Sequence, residues 1–314
     1  MRIAIFGATS QIAKDLVRSF SEHSIHEIFL YARRPEAVTH WLAGIGLSNR
    51  YDVANFTNFS TDECFDAVIN FVGIGNPIQT VEMGAAIFDV TSEFDNIALT
   101  YVRQHPNCRY LFLSSGAAYG SRFDEPAIEN SKAEVAINNL QPQDWYTVAK
   151  LYAECRHRSL PHLPIIDIRV FNYFSSTQDI STRFLITDIV RAIQSNTILK
   201  TSPDYIVRDY LHPVDFHQLI STLLSMPAAN TVVDCYSRAP IDKPNLLTAM
   251  QAQFGLQYEI AQASASVNAT GNKPYYYSLN THAAEYGYKP IYTSLEGLIK
   301  EMQIILNGTT VGSA

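Results

Sequence analysis

Short apolar runs that alternate with amphipathic stretches set the rhythm of the first half of this chain. Residues 2–6 (Arg-Ile-Ala-Ile-Phe) stop at Gly7, and helical periodicity follows over 14–21. Further apolar runs cover 27–31, 51–53, 67–73 and 110–115, with a helical stretch at 87–104 ahead of the last. The run at 67–73 is apolar almost throughout, as a parallel strand buried on both faces should be. A helix starts at Asp144 and a sixth strand occupies 164–170. Strand and helix in turn predict an α/β fold built on a parallel sheet. Beyond residue 170 the pattern loosens. Helices over 183–195 and 215–225, a stretch at 205–211 and a last amphipathic helix from Ser294 predict a smaller α/β lobe packed on the first domain.

Composition narrows the class. At 314 residues, with 47% hydrophobic and 17% charged residues, the chain is globular, with one large domain or two unequal lobes. A net charge of −7, and no basic run longer than Arg33-Arg34, argue against nucleic acid as a partner. No apolar run reaches the roughly 20 residues of a membrane span. The first strand begins at once and leaves no room for a signal peptide, and Cys64, Cys108, Cys155 and Cys235 have no paired spacing. The expectation is a soluble cytoplasmic protein with free thiols and no metal site.

Candidate chemistry sits where the predicted strands end. Gly7, followed by Thr9, Ser10, Gln11 and Ile12, makes the strand–turn–helix opening of a dinucleotide-binding unit, whose helix-start amides can face a pyrophosphate. Ser10 and Ala13 stand where further glycines are common, yet both are small enough to allow close approach. At the end of the second strand stand Arg33 and Arg34 rather than Asp or Glu. An acidic residue there grips the ribose of NAD, whereas arginine accommodates the 2′-phosphate of NADP. The plainer alternative is a solvated basic loop. Asp52 and Val53 read as the end of the third strand, where a carboxylate could accept from an adenine amino group. Phe71, Val72 and Gly73 end the fourth strand and Ser115 the fifth. Ligands bind beyond the carboxyl ends of strands in an open parallel sheet, so these positions converge on one cofactor site. The expected organisation is a Rossmann-type doubly wound domain over 1–170, with 171–314 mainly a substrate-binding lobe from which some segments return.

Tyr146 and Lys150 are four residues apart and share one helix face. An ammonium favours the phenolate, which brings a phenol of reference pKa about 10 closer to acid–base work at neutral pH. In a chain with 18 tyrosines that spacing alone is commonplace, and the residues around it give it weight.

The Gly7 turn, the run Ser114-Ser115-Gly116-Ala117-Ala118-Tyr119-Gly120, the Tyr146/Lys150 pair, Arg169-Val170-Phe171-Asn172, the stretch Arg208-Asp209-Tyr210-Leu211-His212-Pro213-Val214-Asp215 and Tyr286-Gly287-Tyr288-Lys289-Pro290 recur in one order. Together they resemble the extended short-chain dehydrogenase/reductase family, in its nucleotide-sugar epimerase, dehydratase and reductase branch, over nearly the whole chain. The resemblance implies an enzyme in which Tyr146 is the general acid/base at a sugar hydroxyl or ketone. Lys150 would lower its pKa and bind the nicotinamide ribose, and Ser115 would hydrogen-bond the same oxygen. Asn172 and Arg208 would hold the diphosphate and nucleotide of the substrate, with Tyr119 a further substrate contact. A homodimer, formed through helices near 97–104 and 146–157, is implied too.

Departures from the family pattern narrow the reaction. Members that eliminate water between sugar carbons 4 and 6 resemble each other in carrying Asp-Glu directly after the active-site hydroxyl residue, where this chain has Gly116 and Ala117. Members that also epimerise carbons 3 and 5 place Cys at the Ala117 position. What remains is a keto-sugar reductase, or an epimerase that oxidises and re-reduces one carbon. Arg33 and Arg34 tip the reading toward NADPH-dependent reduction of a nucleotide-linked keto sugar, such as a 4-keto-6-deoxyhexose. The alternatives are an NAD(P)-dependent nucleotide-sugar 4-epimerase, a non-catalytic NADP-binding sensor or scaffold, and an enzyme whose substrate carries no nucleotide. Phe174-Ser175 and the run Tyr275-Tyr276-Tyr277, both unusual for the family, give the last its substance.

Overall fold

Every residue of β1 (Arg2–Phe6) after Arg2 is buried, and the strand pairs in parallel with β2 (Glu27–Tyr31) on one side and β4 (Ala67–Asn70) on the other. The structure, a computed structural model, describes residues 1–73, 82–142, 144–261 and 273–310. From β1 the chain runs through α1 (Gln11–His23), β2, α2 (Pro35–Gly44) and β3 (Asp52–Ala54), and crosses back to β4 on the far side of β1. It continues through α3 (Ala86–Gln104), β5 (Arg109–Ser115), α4 (Asp144–Arg158) and β6 (Ile165–Val170). The sheet therefore reverses its direction of winding between β1 and β4, and the crevice at that switch point is where ligands settle in such folds.

The second half alternates between the two lobes. It comprises β7 (Asn172–Tyr173), α5 (Leu185–Gln194), β8 (Leu199–Thr201), β9 (Val207–Arg208), β10 (Tyr210–Leu211), α6 (Pro213–Ser225), β11 (Thr231–Asp234), β12 (Ile241–Asp242), α7 (Lys243–Phe254), β13 (Tyr258–Ile260), β14 (Tyr275–Tyr276) and α8 (Ser294–Thr310). β11 pairs in parallel with β6 and completes a seven-stranded sheet in the order β11-β6-β5-β4-β1-β2-β3. Residues 213–236 thus pack with the sheet built by the first half of the chain.

Alternation along the strands sorts side chains to two faces. Ile3, Ile5, Ile28, Leu30, Ile69 and Leu111 point to one layer, shared with Leu16, Val17 and Phe20 of α1 and Phe216, Leu219 and Leu223 of α6. Ala4, Phe6, Phe29, Val68, Tyr110 and Phe112 point to the other, shared with Leu99, Tyr101 and Val102 of α3 and Ala153 of α4. A separate core gathers Phe174, Ile189, Leu199, Leu246, Met250, Leu298 and Met302 in the smaller lobe. Asp209 joins the segments around it. Its carboxylate is buried and accepts from the Ser237 amide (2.9 Å) and the Ser294 hydroxyl (2.8 Å).

All four cysteines are free. Among the described residues no helix is long and apolar enough to cross a membrane, and no group of three or more His, Cys, Asp or Glu is placed to hold a metal ion.

Candidate active site

Gly7 follows β1 directly, and its backbone shows why glycine is there. Its φ of +76° is costly for other residues, and a β-carbon would lie 2.9 Å from both the carbonyl carbon of Phe71 and the amide nitrogen of Val72. The turn closes with the Ser10 amide donating to the Gly7 carbonyl (2.9 Å), and Ser10 then caps α1 by accepting from the Ala13 amide (3.3 Å). The remaining first-turn amides of α1 are left to face outward past Gly7, which suits a pyrophosphate. Thr9 is exposed at the tip of this turn, and Ile12 packs against the core. Gln11 turns elsewhere. Its side-chain amide donates to the Ser175 hydroxyl (2.8 Å), and Ser175 in turn donates to Asp15 (2.6 Å), which also accepts from Tyr173 and Thr177. Burial raises the Asp15 pKa against those three hydrogen bonds. α1 is thereby bolted to β7 and the segment that follows it.

The ends of β2, β3 and β4 surround this turn. Arg33 and Arg34 are exposed just beyond β2, and among the described residues neither makes an ion pair. Asp52 is different. It opens β3 rather than closing it, pairing with Phe29, while Ala54 is the residue level with Tyr31. At about 3.3 Å per residue Asp52 lies two residues short of the ligand edge, with Val53 midway. The polar residue at that edge is Asn55, whose side-chain amide donates to the Arg33 carbonyl (3.3 Å). Phe71 is buried against Phe216, and the Val72 amide donates to Asn70 Oδ1 (2.9 Å), which shapes the exit of β4. Gly73 follows, and a β-carbon there would approach Lys150 Nζ to 3.4 Å.

α4 carries the candidate acid–base pair. Asp144, in its first turn, accepts from the Ser121 hydroxyl (2.6 Å) and the Gln141 amide (2.9 Å), which anchors the helix start. One turn apart, Tyr146 and Lys150 face the end of β5. Lys150 is buried, donates to the Leu113 carbonyl (2.8 Å), and sits 4.4 Å from the Phe112 ring centroid and 5.9 Å from that of Tyr146. Burial pulls its pKa down to about 8, opposed by the carboxylates of Glu154, Asp95 and Asp167. Burial pushes the Tyr146 phenol upward, and a hydrogen bond from Ser115 works against that rise. At neutral pH the phenol carries its proton, which makes it a donor. Ser115, the last residue of β5, also accepts from the Ala117 amide (3.2 Å). The three catalytic candidates are brought together.

Substrate candidates are dispersed more. The Asn172 side chain donates to the carbonyls of Asp209 and Tyr276 (both 3.3 Å). Arg208 is buried, and its Nη1 donates to the carbonyls of Val207 and Lys273 (both 2.8 Å), so it braces the segment that carries β14. Tyr119 is turned inward. Its hydroxyl donates to the buried Asp234 (2.8 Å) and its ring lies 4.3 Å from the Arg169 guanidinium, which commits it to structure. Tyr276, marked in the sequence only through its unusual tyrosine run, reaches Ser115, and Lys273, not marked at all, lies beside it. Tyr276 hydroxyl is 3.3 Å from Ser115 Oγ, and Lys273 Nζ lies 4.8 Å from the Tyr276 ring centroid. Burial, and then the charge of Arg208, pull the Lys273 pKa to about 8, with Asp144 opposing. The run of three tyrosines was the one available signal for this wall of the site.

The floor beside Ser115 is closed to larger side chains. A β-carbon on Gly116 would lie 2.3 Å from Phe171 Cδ1 and 2.4 Å from its Cε1, and Phe171 is held among Tyr119, Phe123 and Tyr276. An acid directly after Ser115 has no room.

This arrangement offers a crevice at the β1/β4 switch point and, beside it, a phenol that can exchange a proton with an oxygen of a bound substrate. A family model for the NAD dependent epimerase/dehydratase family matches residues 3–236. The UDP-glucose 4-epimerase of Stenotrophomonas maltophila, solved with NAD and formylated UDP-arabinopyranose, superposes with a TM-score of 0.80 at 15% identity, covering 100% of both chains. UDP-glucuronic acid 4-epimerase from Bacillus cereus, in complex with UDP-glucuronic acid and NAD, gives 0.76 at 13% identity over 98% of this chain and 100% of that one. For dTDP-glucose 4,6-dehydratase from Bacillus anthracis in complex with NAD the values are 0.76 and 16%, over 96% of each. Comparison with curated proteins gave no match. With the family matched over most of its length and the fold shared end to end, the chain belongs to the NAD-dependent epimerase/dehydratase family of extended short-chain dehydrogenases/reductases and is an NAD(P)-dependent oxidoreductase or epimerase.

Proposed function

We propose that the protein reduces a nucleotide-diphosphate-linked keto sugar, of the 4-keto-6-deoxyhexose type, with NADPH. The observation that carries this reading is the pair Arg33 and Arg34, exposed beyond β2 with no acidic residue between them and the strand. Guanidinium is the better fork for a ribose phosphate. The Gly7 turn and the first turn of α1 would hold the pyrophosphate, and Lys150 beneath Gly73 the nicotinamide ribose. Bound NADPH would supply the hydride. Tyr146 gives its proton to the carbonyl oxygen as that oxygen takes on charge, and Ser115 donates a second hydrogen bond to it. Lys150 returns positive charge toward the tyrosine left behind. Arg208, Lys273 and Asn172 would hold the diphosphate. Gly116, closed by Phe171, supports a site without the extra acid and base of elimination.

A second reading is a nucleotide-sugar 4-epimerase, favoured by the structural likeness to 4-epimerases solved with NAD. There Tyr146 would take a proton from the sugar hydroxyl and later return it. The same family resemblance supports a cytoplasmic homodimer pairing α3 with α4, which sedimentation at micromolar concentration would test. The deciding experiment is to release and identify the nucleotide carried by the purified protein, titrate the emptied protein with NADPH and NADH, and screen nucleotide-linked 4-keto sugars by NADPH oxidation. Exchangeable NADPH and keto-sugar-dependent oxidation support the reductase. Stoichiometric, tightly held NAD with interconversion of UDP-hexoses supports the epimerase, and Tyr146→Phe that keeps its turnover sinks both.

A further inference from the structure

The smaller lobe contributes a phenol to the catalytic group. Tyr276, at the end of β14, packs edge-on against Phe123 (centroids 4.8 Å apart) and Phe171 (5.3 Å). A phenylalanine would serve that packing equally well. The hydroxyl instead reaches Ser115 Oγ at 3.3 Å, across 161 residues of chain.

A serine hydroxyl has one proton to give and two lone pairs with which to accept. The Ala117 amide, 3.2 Å away, fills one lone pair of Ser115. Either hydroxyl can donate across the 3.3 Å contact, and the Tyr276 phenol, pushed upward by burial, keeps a proton to give to the second lone pair. When Tyr276 donates, both lone pairs are taken and the Ser115 proton is left for the Tyr146 side, where it meets that phenol or a substrate oxygen bound beside it. We propose that Tyr276 is a positioning residue that aims the Ser115 hydroxyl as a donor at the reacting oxygen of the substrate. The inference rests on the roles given above to Ser115 and Tyr146 and adds a residue that acts only through the serine. No proton is transferred along it. Tyr276 and Ser115 both keep their own, and the gain is a donor fixed in place before charge develops, strengthened by the phenol behind it. Lys273 Nζ and the Arg208 guanidinium lie 4.8 and 5.9 Å from the ring centroid.

The test is a double-mutant cycle with Tyr276→Phe and Ser115→Ala, read with whichever nucleotide sugar the wild-type protein turns over fastest: GDP-, CDP-, UDP- or dTDP-4-keto-6-deoxyhexose with NADPH, or UDP-glucose with NAD. Tyr276→Phe keeps the ring, and is expected to lower kcat about tenfold with KM within about twofold. In the Ser115→Ala background the same change should cost less than about twofold, because the group it acts through is gone. Melting temperatures of the four proteins should be non-additive in the same sense. Losses in kcat that multiply, or a Tyr276→Phe protein with wild-type kcat, overturn the inference and leave the Tyr146 reading standing. A panel in which nothing is turned over, or full turnover by Tyr146→Phe, sinks that reading and this inference with it.

Discussion

His157 Nδ1 lies 2.6 Å from Asp167 Oδ1, while the other ring nitrogen is 2.8 Å from Asp95, and all three side chains are fully buried beneath the sheet. Burial alone would lower the imidazole pKa, but the two carboxylates outweigh it and raise it to about 9. Because the folded pKa exceeds the unfolded value of about 6.5, the charged histidine stabilises the fold fully below pH 6.5 and progressively less as pH rises through about 9. Urea melts should therefore show stability falling by on the order of 2–3 kcal/mol between about pH 6.5 and 9.5. His157→Gln should remove that pH dependence and lower stability at pH 7. A flat wild-type profile over this window would contradict the assignment.

Gly7→Ala meets backbone on two sides and a φ of +76°. Unlike a side-chain clash, this one cannot be relieved by a rotamer change, because the opposing atoms belong to the exit of β4. The expected result is a loss of about 1–3 kcal/mol in thermal or urea unfolding and at least a tenfold loss of dinucleotide affinity by fluorescence titration.

Gly116→Ala should be tolerated only if Phe171 gives way. Alone it is expected to cost about 1–3 kcal/mol and most of the turnover, by forcing the aromatic cluster against Tyr276. Phe171→Leu in the same chain should recover part of the stability, as measured by denaturation midpoints. Full stability in the single variant would show that the ring is not confined.

Arg33→Glu reverses a charge at the mouth of the cofactor crevice and touches no core residue. NADPH affinity should fall at least tenfold while NADH affinity stays within about threefold, as the loss of a phosphate fork requires. Equal losses for both cofactors would point to a fold effect and remove the argument for NADP.

The elements that carry the candidate residues could be read before any coordinates. Ser115, Tyr146 and Lys150 sit on elements whose periodicity is plain, and a strand end facing a helix turn brings them together with no long detour. Asp52 shows the limit of that logic. Its strand is three residues long, so the apolar pattern around Tyr51 and Val53 fits a strand end as well as a strand start, and only the pairing of Ala54 with Tyr31 decides. Tyr119 shows another. A tyrosine four residues after Ser115 looks like a substrate contact until Asp234, far along the chain, is found beneath it. β11 was illegible for a related reason: Thr-Val-Val-Asp is too short to announce itself, and its place depends on β6 having an open flank. Tyr276 could be flagged as odd but not placed, since its partner lies on the other lobe.

The late arrival of β11 has a consequence for how the molecule is made. Until Thr231–Asp234 emerges, β6 is a sheet edge with unpaired backbone groups, the kind of surface that recruits other chains. A ribosome adding about 5–20 residues per second leaves that edge open for several seconds while the intervening roughly sixty residues are built. A fragment ending near residue 170 would keep it open permanently. The cofactor domain is thus contiguous in space but not in time, and its first six strands must wait for a seventh that comes after part of the other lobe.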